Sequence, residues 1–194
     1  MLRNTRSGYG LVAIVLHWTI AVLFIGQAGL GLAMMHGVDQ RTAFGLIQWH
    51  KSFGLLILGL AVIRLAWRLT GIRPALPTSM PGWEARGARL AHGMLYATLL
   101  LLPLTGWALV SVSVLAIPTY AFYLVVVPHL PLAVSEGAEM FWGDVHRLMA
   151  WTAIALVIGH VLAALRHRFV LHDDVMARML RPARKADDSP MGHR

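Results

Sequence analysis

The chain has 194 residues, 57% hydrophobic and only 13% charged, with a formal net charge of +8 and no cysteine. So few charges cannot cover a water-soluble surface, and the cations sit at the ends of apolar runs without an aromatic-interleaved basic patch, which sets nucleic-acid binding aside. The missing cysteines exclude disulfides, thiolate-bound iron–sulfur clusters and covalently attached c-type haem, leaving metal chemistry to histidine, carboxylate or methionine.

A polar lead, Met1 to Tyr9, carries Arg3 and Arg6 and is followed by an uncharged run from Leu11 to Met35. That run is much longer than the roughly 7–15-residue apolar core of a signal peptide and has no clear small-x-small cleavage site. It is predicted to be a retained first span, about 11–35, with His17 about a turn and a half inside. Asp39 and Arg41 mark a link to a second span at 44–67, with His50 near its start and Arg64 near its end. Its uncharged core, Ser52 to Ile63, is too short to cross a bilayer alone, so Lys51 and Arg64 must lie near the two interfaces or snorkel toward them.

Thr70 to Arg89, rich in Pro, Gly and Arg, reads as a loop. A third span, 90–113, opens with His92 and Tyr96 and contains a kinking Pro103. Residues 114–140 are apolar but broken by Pro118, Pro128 and Pro131. They are expected to form a loop or short helix lying in the interface, with a re-entrant path as the alternative. The fourth span, 142–166, carries His146 and His160, and 167–194 is a basic tail.

Of the seventeen Lys and Arg residues, two lie in the lead, five between Arg64 and Arg89 and seven from Arg166 onward. An even number of spans puts all these segments on one side, which the positive-inside rule makes cytoplasmic; both termini are therefore expected inside. His50 and His146 then share an outer level, and His17 shares an inner level with His160 or His92. Fourteen helical residues separate His146 from His160, about 21 Å and nearly four turns, too far to share one ion and on roughly one face.

Ionisable groups within a membrane are costly and usually functional. Facing imidazoles without cysteine or nearby carboxylates are what bis-histidine haem ligation requires. A flat macrocycle also needs room on the neighbouring turn. Ala21, Gly54, Ala150 and Ala164 follow His17, His50, His146 and His160 by four residues, whereas Tyr96 follows His92. The pattern favours His17 with His160.

Several stretches carry a family resemblance: H-W at His17, W-H-K-S-F-G from Trp49, V-I-R-L-A-W-R-L from Val62, A-H-G-M-L-Y from Ala91, W-G-D-V-H-R from Trp142 and the G-H of Gly159 and His160. Over nearly its whole length the chain resembles the bacterial cytochrome b561 family, and more narrowly its superoxide:ubiquinone oxidoreductase branch. The resemblance implies an all-α, four-helix membrane bundle in the bacterial inner membrane holding two non-covalent haem b groups. It implies His17 and His160 as ligands of the inner haem iron, and His50 and His146 of the outer one.

The function read from this is electron transfer across the membrane between an outer donor, superoxide in the sharpest version, and ubiquinone or a similar quinone. The alternative is a cytochrome b subunit or membrane anchor passing electrons between a partner dehydrogenase or hydrogenase and the quinone pool. Lys51 and Arg147 beside the outer ligands could pair with haem propionates or attract an anion. Arg64 could hold a propionate on the inner side. His92 and Tyr96, one turn apart, could hydrogen-bond a quinone headgroup. Gln27 reads as helix packing, the tryptophans as an interfacial belt, and His36, His129, His167, His172 and His193 as solvated surface. The reading is compatible with a homodimer.

Overall fold

Four apolar stretches fold as helices: α1 Leu11–Met34, α2 Gln40–Thr70, α3 Gly82–Val112 and α4 Glu136–Phe169. The computed structural model describes residues 1–35, 39–75 and 80–183, so His36, His193 and the end of the basic tail lie outside the described residues. Each helix is long and apolar enough to cross a bilayer. Little of the bundle is buried inside the protein, and large side chains such as Val22, Ile25, Val62, Leu148 and Leu162 face outward. Helices apolar on all sides suit a lipid surround.

Three of the helices outrun their apolar cores. The 31 residues of α2 and 34 of α4 extend roughly 46 and 51 Å, against a hydrocarbon layer of about 30 Å. Polar caps account for the early starts of α2 and α4. Asp39 precedes α2 and its carboxylate accepts from the Arg41 and Thr42 amides and the Thr42 hydroxyl, so the helix begins before the apolar run at Phe44. These bonds, led by those from Thr42, hold the exposed Asp39 carboxyl below its ordinary value. Ser135 accepts from the Ala138 amide, with Glu136 and Glu139 in the first turn, which starts α4 six residues ahead of the expected 142. α3 likewise begins at Gly82, well inside the stretch read as loop.

α3 packs along α4, α1 along α2, and α2 along α3. Hydroxyl groups along α3 are satisfied on their own helix: Thr98 donates to the Met94 and Leu95 carbonyls, Thr105 to Leu102 and Ser111 to Trp107.

The α3–α4 connection is neither loop nor helix throughout. It contains a hairpin of β1 Thr119–Ala121 and β2 Val125–Val127, antiparallel with Tyr120 opposite Val126. Two fully buried side chains of α2 strap it down. Gln48 donates from Nε2 to the Pro118 carbonyl (3.0 Å) and accepts from the Tyr120 amide (3.2 Å), while the Ser52 hydroxyl accepts from the Phe122 amide (2.9 Å). The return strand is tied to α3 through Trp107 Nε1 to Pro128 O and Leu130 N to Ser111 Oγ. Glu139 of α4 accepts from Ser113 and the Val114 amide. Backbone groups that a short helix would satisfy internally are met here by neighbouring side chains.

At the opposite end, the lead, the α2–α3 connection and the chain after α4 are knitted together. Asn4 donates to Ile72 O, the Ala75 amide to Arg6 O, Arg178 to Ala75 O, Trp18 Nε1 to Met179 O and the Ala183 amide to Tyr9 O. The bundle thus has a hairpin end and a terminal end.

Candidate functional site

Five histidines project between the helices: His17 from α1, His50 from α2, His92 from α3, and His146 and His160 from α4. They assemble at two levels. Toward the hairpin end the rings of His50 and His146 have centroids 6.2 Å apart at 87°. Toward the terminal end His17 and His160 stand 6.1 Å apart at 76°. Two imidazoles bound end-on to one metal through bonds of about 2 Å each would have centroids roughly 6 Å apart. Both separations suit such a pair.

At the hairpin end the neighbours of His146 prepare its ring. Thr105 gives its hydroxyl proton to Leu102 O (2.8 Å), so its oxygen accepts from His146 Nδ1 at 3.0 Å. A protonated Nδ1 leaves Nε2 with the lone pair a metal needs. A Cβ on Gly106 would stand 3.1 Å from His146 Cε1, and one on Gly31 would meet His50 Cε1 at 3.6 Å; these glycines let α3 and α1 approach the rings. The His50 Nδ1 is buried without a hydrogen-bond partner.

Gln27, read from sequence as packing, donates to the His50 carbonyl at 2.8 Å and joins α1 to the site. Neither Gln27 nor Thr105 was singled out as a site residue. The Thr-Gly pair interrupting L-L-L-L-P-L-T-G-W was the available signal.

A cavity of about 560 Å³ opens between the helices at this level, within the ~300–1,000 Å³ typical of cofactor pockets. His50, His146, Gly54, Gly106 and Ala150 line it, Lys51 and Arg147 stand at it, and Leu115, Ile117 and Thr119 from the hairpin connection bound it. Arg147 lies 3.3 Å from Asp144, both well exposed, so its charge is already offset.

At the terminal end the structure gathers three histidines. The His92 ring is 5.5 Å from His160 at 80°, and its Nδ1 donates to Ala88 O at 2.6 Å. Arg64, expected at a propionate, and Tyr96, expected at a quinone, are each other's partners: Arg64 Nε donates to the Tyr96 hydroxyl at 3.2 Å, and the Arg64 and Arg68 guanidinium carbons lie 5.8 and 5.0 Å from its ring centroid.

The expectation that His167 is solvated surface is overturned. Its side chain is buried, with Nδ1 2.6 Å from Asp173 Oδ2 and Nε2 3.7 Å from Glu84 Oε1; Arg166 reaches the same Glu84 oxygen at 2.6 Å. The turn after α4 folds Asp173 back over the ring. Partial burial works to raise the Asp173 carboxyl, but hydrogen bonds from His167 and the Val175 amide, with the Arg178 charge, hold it below its ordinary value. His129 also departs from the surface reading, since its Nε2 is buried without a partner, whereas His172 is exposed.

The sequence pattern of the prokaryotic cytochrome b561 family matches residues 8–182. The chain belongs to this family. "Cytochrome b561 homolog 2" of Escherichia coli is 29% identical over 184 residues, 91% of this chain and 93% of that protein. "Cytochrome b562" of Cereibacter sphaeroides is 26% identical over 91% of this chain and 98% of its own, and "Probable superoxide oxidase CybB" of Yersinia pestis 24% over 89% and 95%. As a cytochrome b561, the protein is a bacterial membrane protein of electron transfer and takes b-type haem. The paired rings fit that group. A facing pair of imidazoles suits an iron whose other donors come from a porphyrin.

Proposed function

We propose that this cytochrome b561 carries electrons between two haem b sites, linking a donor at the hairpin end with membrane quinone at the terminal end. His50 and His146 would hold iron at the hairpin end, His17 and His160 at the terminal end. The observation that carries this reading is the pair of matched ring separations, 6.2 and 6.1 Å, on histidines fourteen residues apart on α4. When bound, haem supplies reversible one-electron chemistry at iron.

The chain's own residues do the rest. Thr105 fixes the His146 tautomer, the glycines make room, and the apolar helices exclude water from both levels. At the terminal end the Ala88 carbonyl holds the proton of His92 on Nδ1, which leaves Nε2 to accept a hydrogen bond or proton from a quinol. Arg64 orients the Tyr96 hydroxyl beside it. The cation bias of the lead, the α2–α3 connection and the tail supports a cytoplasmic terminal end and a hairpin end facing outward.

Superoxide is the donor this reading favours, supported by Lys51 at the cavity and by the name of the Yersinia relative, a probable superoxide oxidase. Pyridine haemochrome analysis of the purified protein should give two b haems per chain, and superoxide should reduce them rapidly in the single protein, followed by reduction of added quinone. Fewer than two haems would sink the two-level assignment. Reduction only in the presence of a co-purifying subunit would sink the superoxide reading.

A further inference from the structure

The hairpin between α3 and α4 supplies no histidine to either level, yet buried side chains of α2 strap it down. Gln48 and Ser52, 0% and 1% exposed, bind the backbone of its first strand through their side chains, so that strand is fixed against α2, while Tyr123 rests 5.9 Å from Trp49 and Leu124 to Val126 face outward. Ser52 lies twelve residues into α2, roughly 18 Å from its start, and opens the uncharged core of that span. The hairpin therefore lies beside the bundle at the boundary of the apolar layer.

What it presents there is uniformly apolar. No Asp, Glu, Lys or Arg occurs from Val114 to Ser135, and Tyr123, Leu124, Val125 and Val126 are 53%, 84%, 62% and 57% exposed. Patches of this kind mark interaction sites rather than free surface. The turn is also strained, with Phe122 and Tyr123 at φ 51° and 59°, a left-handed conformation that aromatic residues rarely adopt. It is held because the Phe122 ring seats 6.0 Å from Trp49 and 5.4 Å from Phe53 while its amide bonds Ser52.

From these contacts we infer that the hairpin tip inserts into the lipid leaflet at its end of the bundle, as a membrane-contact element separate from the four spans. Continuity identifies lipid as the occupant: the tip adjoins the outward flank of α2, where Phe44, Ile47 and Trp49 are each at least 40% exposed, and Trp with Tyr is the side-chain pairing that prefers the interface. The free edges of a two-stranded sheet limit the depth, since unpaired backbone groups are excluded from the hydrocarbon centre but tolerated near headgroups.

The absence of native cysteine permits a direct test. Leu124→Cys in the haem-loaded protein, nitroxide-labelled in phosphatidylcholine nanodiscs, is measured for collision with oxygen and with a water-soluble nickel chelate. Val22→Cys on the exposed flank of α1 serves as the lipid reference and Asp39→Cys as the aqueous one. The expected result is a depth between the two references, with oxygen collisions exceeding nickel collisions several-fold, and the same from Val126→Cys. Nickel accessibility equal to that of Asp39→Cys would overturn the proposal, placing the tip in water. Shielding from both probes would overturn it too, assigning the patch to a protein partner or a second copy.

Discussion

The two ends of the bundle hold histidine pairs at nearly the same separation, 6.2 and 6.1 Å, and surround them differently. The hairpin end is roomy: a cavity of about 560 Å³ with Lys51, Arg147 and Glu139 along its lining, a His146 ring bonded to Thr105, and a cap held by amide, hydroxyl and carboxylate groups. The terminal end is crowded and charged, with a third histidine, Arg64 and Arg68 on Tyr96, and the Asp173–His167–Glu84–Arg166 cluster beyond them. Equal pair geometry in unequal fields is how one cofactor type can be given two reduction potentials, because a nearby cation favours the state holding the extra electron.

The sharpest way to break the comparison is to remove one level. His160→Ala should lower the pyridine haemochrome signal by about half, leaving one haem, and His50→Ala should do the same from the other end. His92→Ala should leave the content unchanged, since the proposed function gives iron to His17 and His160; loss of a haem there would transfer the ligand role from His17 to His92. Next in size, Gly106→Val forces a side chain into the 3.1 Å contact with His146. It should cost about 1–3 kcal/mol by overpacking and alter the low-spin electron paramagnetic resonance signal of one haem only.

Gln48→Ala strips the Pro118 carbonyl and Tyr120 amide of their partner and should cost about 1–3 kcal/mol in thermal unfolding, releasing the cap while leaving the terminal-end haem signal in place. The smallest effect is expected at the charged end. Asp173→Asn should cost about 1 kcal/mol or less, because the carboxylate is partly exposed. Since its folded value lies below the ordinary 3.8, the wild-type contribution is complete above that pH and is lost as pH falls through the folded value. Unfolding midpoints of wild type and Asp173→Asn should therefore converge in strong acid.

The four spans were legible because length and apolarity dominate a membrane helix, and the levels of the histidines followed from counting residues along it. Helix starts were placed late wherever a polar cap did the work: Asp39 and Ser135 lie outside the apolar runs that marked 44 and 142. The hairpin was beyond reach for a different reason. Its turn uses Phe122 and Tyr123 where a tight turn is usually announced by Asn or Gly, and what holds it, Gln48 and Ser52, lies some seventy residues away in the chain. His167 was misread because its partners come from Glu84 and from a turn after α4 that no periodicity reveals. Thr105 and Gly106 carried a local signal, two small residues amid leucines, whose meaning depended on knowing that His146 faces them.

The knot at the terminal end draws its strands from the lead, the α2–α3 connection and residues up to Ala183, bound through Tyr9, Arg6, Ala75 and Trp18. Because its contacts run from Tyr9 to Ala183 and from Trp18 to Met179, it staples the first helix to the chain beyond the last one, at the end where His17 and His160 face each other.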